Sequence, residues 1–195
     1  MAAQLCTNVF GLLGFSGEVG READLLAYTE ALLPHYKDDW WMMSMHALSL
    51  CETGHIAASQ ALMEKSQALN PRNANAAHFK AHAHYEDGKI TAGRRYLNDW
   101  IKDYDRRGVL HGHLTWHNAL WALHDGDAAA MWDAVDNGIA PGTSESLPIN
   151  VLTDCAAILY RAALAGIDVP PARWRDMSDY AAKFFPKTGQ SFADI

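Results

Sequence analysis

Three histidines occur within seven residues of the alanine-rich stretch AAHFKAHAHY, which spans residues 76–85. His78 and His82 are four residues apart, so on a helix they share one face, where two imidazoles can bind one metal ion. Glu86 continues that face, but a rise of about 1.5 Å per residue places it roughly 12 Å from His78 along the helix. A complete metal site therefore needs a third ligand from another helix, and His113 is the best candidate.

These histidines are compatible with two kinds of function. In one, a metal-dependent or histidine acid/base enzyme uses His78, His82 and His113. In the other, the same imidazoles form the polar floor of a surface that binds a ligand. No HExxH motif accompanies the pair, and histidines at this spacing without a full ligand set are more typical of a helix surface than of a metal centre. The sequence therefore favours a binding surface without a metal ion or another cofactor.

Other reactive residue types give weaker signals. Cys155 follows Asp154, yet it lies in an apolar helical run and is more typical of a core residue than of a nucleophile. The glycine-rich stretch GLLGFSGEVGRE lacks the lysine and the preceding strand of a phosphate-binding loop. Most of the seven tryptophans are at helical spacing and should pack in the core, with Trp41 and Trp116 as candidates for a surface role. None of these signals predicts a particular reaction.

The composition indicates a folded protein without a surface for nucleic acid. The chain has 195 residues, 49% of them apolar, and a formal charge of −7 with acidic and basic residues interspersed. It has no basic stripe that could neutralise phosphates, and its three widely spaced cysteines give no disulfide framework. No window holds the roughly 18 apolar residues of a membrane span, and the N-terminus lacks the basic region of a signal peptide. We expect a cytoplasmic protein that binds neither nucleic acid nor a membrane.

Regularly spaced glycines indicate the elements that must position the histidines. Gly20, Gly54, Gly88, Gly126 and Gly166 are separated by 34, 34, 38 and 40 residues. Each glycine lies between two helix-like stretches, where it can take the left-handed conformation that ends a helix. A period of 34 is typical of a helix–turn–helix repeat. The sequence thus predicts a series of helical hairpins.

Capping residues support one all-α domain over residues 1–195. Asp38 or Asp39, then Asn73 and Asp127, are placed to cap helices, and Pro170 and Pro171 are placed to begin one. No stretch has a convincing strand pattern. The predicted hairpins span about residues 1–36, 38–71, 73–106, 110–140 and 148–186, with the start of a further helix at 190–195.

The segment from Trp40 to Asn73 resembles a tetratricopeptide repeat, with the Gly54 turn, the small Ala58 and Ser59 after it, and the closing stretch ALNPRN. Two later stretches, HLTWHNALWALHDGD and DCAAILYRAALAGIDVPPARW, resemble the tetratricopeptide-repeat protein 38-like family, which has no established reaction. The resemblance covers nearly all of the chain. It implies a TPR-like α-solenoid, that is, a right-handed superhelix of antiparallel helix hairpins. Because solenoids normally end in a capping element, uncapped ends would favour a homodimer.

The resemblance also implies which residues face the concave groove, because the first helix of each hairpin lines it. Counting back from each turn glycine gives the groove residues as Trp41, Ser44, Asn75, His78, His82, Glu86, His113 and Trp116. By the same register, His46, His84 and His117 fall near seams between helices. The implied function is a non-enzymatic scaffold whose groove binds a peptide or a segment of a partner protein.

Overall fold

The computed structural model describes residues 17–187, and every regular element within this range is helical. The elements are α1 (Arg21–Tyr36), α2 (Trp40–Glu52), α3 (Ile56–Leu69), α4 (Ala74–Glu86), α5 (Ile90–Ile101), α6 (His111–His124), α7 (Ala128–Ala134), a π-helical segment (Val135–Ile139), α8 (Pro148–Leu164) and α9 (Pro171–Phe184). The predicted all-α fold class is confirmed for this range. The helix predicted at 190–195 and the first part of the first predicted hairpin lie outside the described residues.

Side-chain caps begin three of the helices, and of the two aspartates predicted for the first of them, Asp39 is the cap. The Oδ1 atom of Asp39 accepts a hydrogen bond from the backbone N–H of Met42 at 2.7 Å. At the start of α4, Asn73 Oδ1 accepts from the backbone N–H of Ala76 at 3.2 Å. At the start of α7, Asp127 Oδ1 accepts from the backbone N–H of Ala130 at 3.0 Å. Each cap satisfies one of the backbone donors that a helix leaves without an internal partner at its start.

The turn glycines all have the left-handed conformation predicted for them. Gly54 has a φ of 83°, and the N–H of His55 donates to the carbonyl of Leu50 at 2.8 Å, which is the bond that closes a Schellman motif. The same backbone bond follows each of the three later turn glycines: Lys89 to His84, Asp127 to Ala122, and Ile167 to Ala162. Four hairpins are therefore closed by the same local structure.

Buried serines connect α2 to α3 within one hairpin. The hydroxyl of Ser59 donates to the carbonyl of Ala47 at 2.6 Å, and that of Ser66 donates to the carbonyl of Trp40 at 2.6 Å. The Asn73 amide in turn donates to the Ser66 hydroxyl at 3.1 Å. Small polar side chains thus let the two helices approach closely while every hydroxyl finds a partner.

The chain divides into two compact units between Tyr96 and Leu97, inside α5. In the first unit, α2 packs against α1, α3 and α4. The core of this unit comprises Met42, Met45, Ala47, Leu48, Met63 and Phe79. Methionines fill much of it because their unbranched side chains adapt to the irregular space between helices.

In the second unit, α6 packs against α7, the π-helical segment and α8, and α9 packs against α8. Its buried core comprises Ala119, Ala122, Met131, Val135, Ile139, Val151, Cys155, Ile158, Leu159, Ala162 and Met177. Cys155 is therefore a core residue, as the sequence indicates. Gly138, in the π-helical segment, has no room for a side chain, because an added Cβ would lie 2.5 Å from Thr115 Cγ2.

First helices of successive hairpins pack directly against each other in both units: α2 against α4, and α6 against α8. This pattern is compatible with an α-helical repeat, in which each hairpin contacts its neighbours along the chain. The right-handed superhelix stays a prediction. Among the described helices, none combines the length and the apolar character needed to cross a membrane.

Candidate functional site

His78 and His82 contact each other on α4, as their spacing predicts. Their Nε2 atoms are 2.9 Å apart, and the two rings meet edge to face with centroids 4.6 Å apart. The opposite side of α4 is buried and consists mostly of alanines, namely Ala76, Ala77, Ala81 and Ala83. These small side chains let α4 lie close to its neighbours, while the two imidazoles remain half-buried.

Glu52, at the end of α2, lies beside His82. Its Oε1 atom is 3.9 Å from His82 Nδ1, and the two side chains are 43% and 34% exposed, respectively. Partial burial, followed by the negative charges of Glu86 and Glu22, raises the pKa of the Glu52 carboxyl. His82 thus lies between a carboxylate and a second imidazole, on a surface that solvent can reach.

A cavity of about 350 Å³ lies at the Gly54 turn, lined by Cys51, Glu52, Gly54, Ile56 and Glu86. Burial, with the charges of Glu52 and Glu86, raises the pKa of the Cys51 thiol to about 12. Cys51 is therefore a neutral thiol at physiological pH and not an activated nucleophile. The negative charge in the cavity comes from the two glutamates.

Of these cavity residues, the sequence predicts only Glu86 as a site residue. Glu52 was missed, although it stands two residues before a turn glycine, as Glu86 does before Gly88. Equivalent positions in successive repeats lie at equivalent places in the fold, so the repeated E-x-G pattern was the signal that could have identified Glu52.

The remaining groove residues predicted in the first unit differ in their exposure. Ser44 is 0% exposed, and its hydroxyl donates to the Trp41 carbonyl at 2.7 Å, so it offers no surface to a ligand in this structure. Trp41 is partly buried against the core, and Asn75 is partly buried on α4. Trp41 therefore contributes to packing.

In the second unit, α6 and α8 place His113 against Asp154. The Nδ1 atom of His113 is 3.0 Å from both carboxylate oxygens of Asp154, a residue that is 5% exposed. A buried carboxylate at this position fixes the orientation of the imidazole and holds a proton on Nδ1. Asp154 was not predicted as a partner of His113, since 41 residues separate the two along the chain.

Two aromatic rings of the same helix lie against His113. The Trp116 ring stacks on it with centroids 5.3 Å apart and an interplanar angle of 15°, and the His117 ring meets it edge to face at 5.0 Å. The guanidinium of Arg161 lies over Trp116, 5.7 Å from the ring centroid. The two groove residues predicted in this unit are therefore in direct contact.

Two of the histidines predicted near seams, His46 and His84, each contact a residue of another helix. His46 is buried, and its Nδ1 is 2.9 Å from Thr29 Oγ1, which joins α2 to α1. His84 is partly buried, and its ring centroid is 5.9 Å from that of Tyr96. Burial lowers the pKa of both imidazoles. His117 contacts His113 and Trp116 on its own helix, and its predicted place near a seam stays a prediction.

The structure thus joins His78 to His82 within the first unit, with Glu52 beside His82, and joins His113 to Trp116 and Asp154 within the second. A site that combines His78 and His82 with His113 stays a prediction. No known family model matches the chain, and no solved structure matches it significantly. The likeness to the tetratricopeptide-repeat protein 38-like family therefore also stays a prediction.

Proposed function

We propose that the protein is a non-enzymatic scaffold that binds an extended segment of a partner protein, with one basic side chain of that segment anchored at the Gly54 turn. The observation that carries this proposal is the cavity of about 350 Å³ lined by the carboxylates of Glu52 and Glu86, with His82 3.9 Å from Glu52. This volume is at the lower end of the range of ligand pockets, and therefore suits a side chain better than a large cofactor.

The chemistry of the cavity favours a cation. Its charged lining groups are the carboxylates of Glu52 and Glu86. Arg21 is close enough to lower the pKa of Glu52 in part, but its guanidinium pairs with Glu22 at 2.9 Å. A lysine or arginine side chain would supply the compensating charge and donate hydrogen bonds to both carboxylates.

Peptide selection tests this proposal. Displayed random peptides of about 12 residues should yield binders with at least one lysine or arginine, measured afterwards by fluorescence polarisation. Glu52→Gln with Glu86→Gln should weaken the selected peptide at least tenfold, because removing both charges leaves the basic group without a partner. Glu145→Gln, an exposed glutamate of the second unit, is the matched control and should leave affinity unchanged.

The histidine pair provides a second arm of the same experiment. His78→Ala with His82→Ala should also weaken the peptide while the far-ultraviolet circular dichroism stays that of the wild type, because both rings are half-exposed and outside the core. Failure to select any binder, or a selected peptide whose affinity survives both double substitutions, would overturn the proposed function.

A second candidate is an acid/base enzyme, the alternative that the sequence raises for His78, His82 and His113. The contact between His113 and Asp154 favours it, since this is the arrangement in which a carboxylate prepares an imidazole to accept a proton through Nε2. The test is hydrolysis of p-nitrophenyl acetate. The enzyme is supported if Asp154→Asn and His113→Ala each abolish the hydrolysis and His124→Ala does not. Equal hydrolysis by all four proteins would exclude this use of His113.

A further inference from the structure

The two imidazoles of α4 are arranged in a way that the proposed peptide binding does not require. Their Nε2 atoms are 2.9 Å apart, and the two rings meet edge to face. Two metal–nitrogen bonds of about 2.05 Å at a right angle put their nitrogens about 2.9 Å apart, whereas a tetrahedral angle puts them about 3.3 Å apart. The observed separation therefore fits neighbouring positions of a square-planar or octahedral ion better than a tetrahedral zinc site.

Glu52 adds the group that commonly stands behind a metal-binding histidine. Its carboxylate faces Nδ1 of His82, the nitrogen remote from His78, at 3.9 Å. At this distance the carboxylate acts through its charge, which favours a proton on Nδ1 and so leaves the Nε2 lone pair available to a metal ion. The half-exposed position of His82 leaves room for water to complete the coordination sphere.

We propose that His78 and His82 bind one divalent transition-metal ion of the Ni²⁺ and Cu²⁺ class through their Nε2 atoms, with Glu52 as the outer carboxylate partner of His82. Ions of this class accept imidazole nitrogen and water oxygen in tetragonal or octahedral geometry. The inference does not rest on the proposed peptide binding, since it concerns the protein without a partner.

A hydrogen bond between two neutral imidazoles would also have a length of 2.9 Å. A metal site and a simple hydrogen bond differ in whether added metal binds.

Protein without a polyhistidine tag is freed of metal with a chelator and titrated with Ni²⁺ in a calorimeter. We expect one equivalent to bind. His78→Ala and His82→Ala should each weaken binding at least tenfold, and Glu52→Gln should weaken it about tenfold, as the loss of an outer carboxylate partner typically does.

His55→Ala is the matched control, because His55 is an exposed histidine of the same unit and should leave the affinity unchanged. Circular dichroism of each variant checks the fold, and the electron paramagnetic resonance of bound Cu²⁺ should show coupling to two imidazole nitrogens, reduced to one in either single variant. The inference would be overturned if the wild type bound Ni²⁺ no more tightly than the His78/His82 double variant does. It would also be overturned if only one of the two histidines mattered for Ni²⁺ affinity, or if His55→Ala lowered that affinity equally.

Discussion

His46, His84 and His111 are imidazoles that the fold holds away from water. Burial lowers the pKa of each, and for His84 and His111 the positive charges of Lys80 and Arg106, respectively, act in the same direction. Negative charge nearby, such as that of Glu30 beside His46, compensates only in part. The folded protein thus binds fewer protons at these histidines than the unfolded chain does.

The unfolding free energy should therefore fall as the pH is lowered from 7 to 5. The unfolded chain takes up protons below its ordinary histidine pKa of about 6.5, so the stabilisation is complete above that value and is lost below it, with a slope of at most about 1.4 kcal/mol per pH unit for each histidine. His46→Gln, which keeps a polar group for Thr29 but cannot be protonated, should reduce the slope measured by urea unfolding. His55→Gln, at an exposed histidine, should not. A slope that His46→Gln leaves unchanged would show that His46 contributes nothing to it.

Local spacing identified the site residues that share a helix, and missed the contacts that depend on packing. The contact between His78 and His82 follows from their i,i+4 spacing on one helix. The pairing of His113 with Asp154 joins α6 to α8, and no periodicity within either helix specifies it. For Ser44 the spacing was misleading. Its register predicts a position in the groove, but the packing of α2 on three other helices buries it completely.

At the scale of the helices, stability depends on the turns that end them, and the Gly54 turn is the clearest case. Gly54 has a φ of 83°, and nothing lies within 4 Å of the place where a Cβ would stand. A substitution here therefore tests the backbone conformation without a steric clash. Gly54→Ala should lower the unfolding free energy by about 1–2 kcal/mol, the usual cost of left-handed backbone for a residue with a Cβ.

Gly54→Asn is the matched variant for that measurement, because asparagine tolerates the left-handed conformation better than alanine does. We expect it to be less destabilising than Gly54→Ala in urea unfolding. If both substitutions cost the same, or neither costs anything, then the left-handed turn is not what Gly54 contributes to stability.

Helix ends were predictable because each depends on a few neighbouring residues, such as the cap Asp39 or the turn glycine Gly54. The π-helical segment was not, since its sequence VDNGI has no local signal for an extra residue in the turn. The structure supplies a reason in the packing: Gly138 lies directly against Thr115 of α6, in a place that no side chain could occupy. An irregular turn can satisfy a tertiary contact of this kind that a regular helix would miss.

At the scale of the whole molecule, each unit has a hydrophobic core of its own. Met63 is completely buried in the first unit and Ile158 in the second. The regular spacing of the turn glycines predicts hairpins along the entire chain, but it does not indicate that the cores separate within α5. The division depends on which buried side chains contact each other. The spacing of the turn glycines does not indicate it, because glycine-marked turns occur on both sides of the division.

Separate cores should unfold with different local free energies. Ile158→Ala removes a large buried side chain and should destabilise the second unit by about 2–5 kcal/mol, because it leaves a cavity that the surrounding helices fill only in part. Hydrogen exchange followed by mass spectrometry should then show faster exchange in α6 and α8 than in α2 and α3. Met63→Ala is the matched change in the first core and should give the reverse pattern. If either substitution accelerated exchange equally in all four helices, the two cores would form one cooperative unit, and the division within α5 would have no consequence for stability.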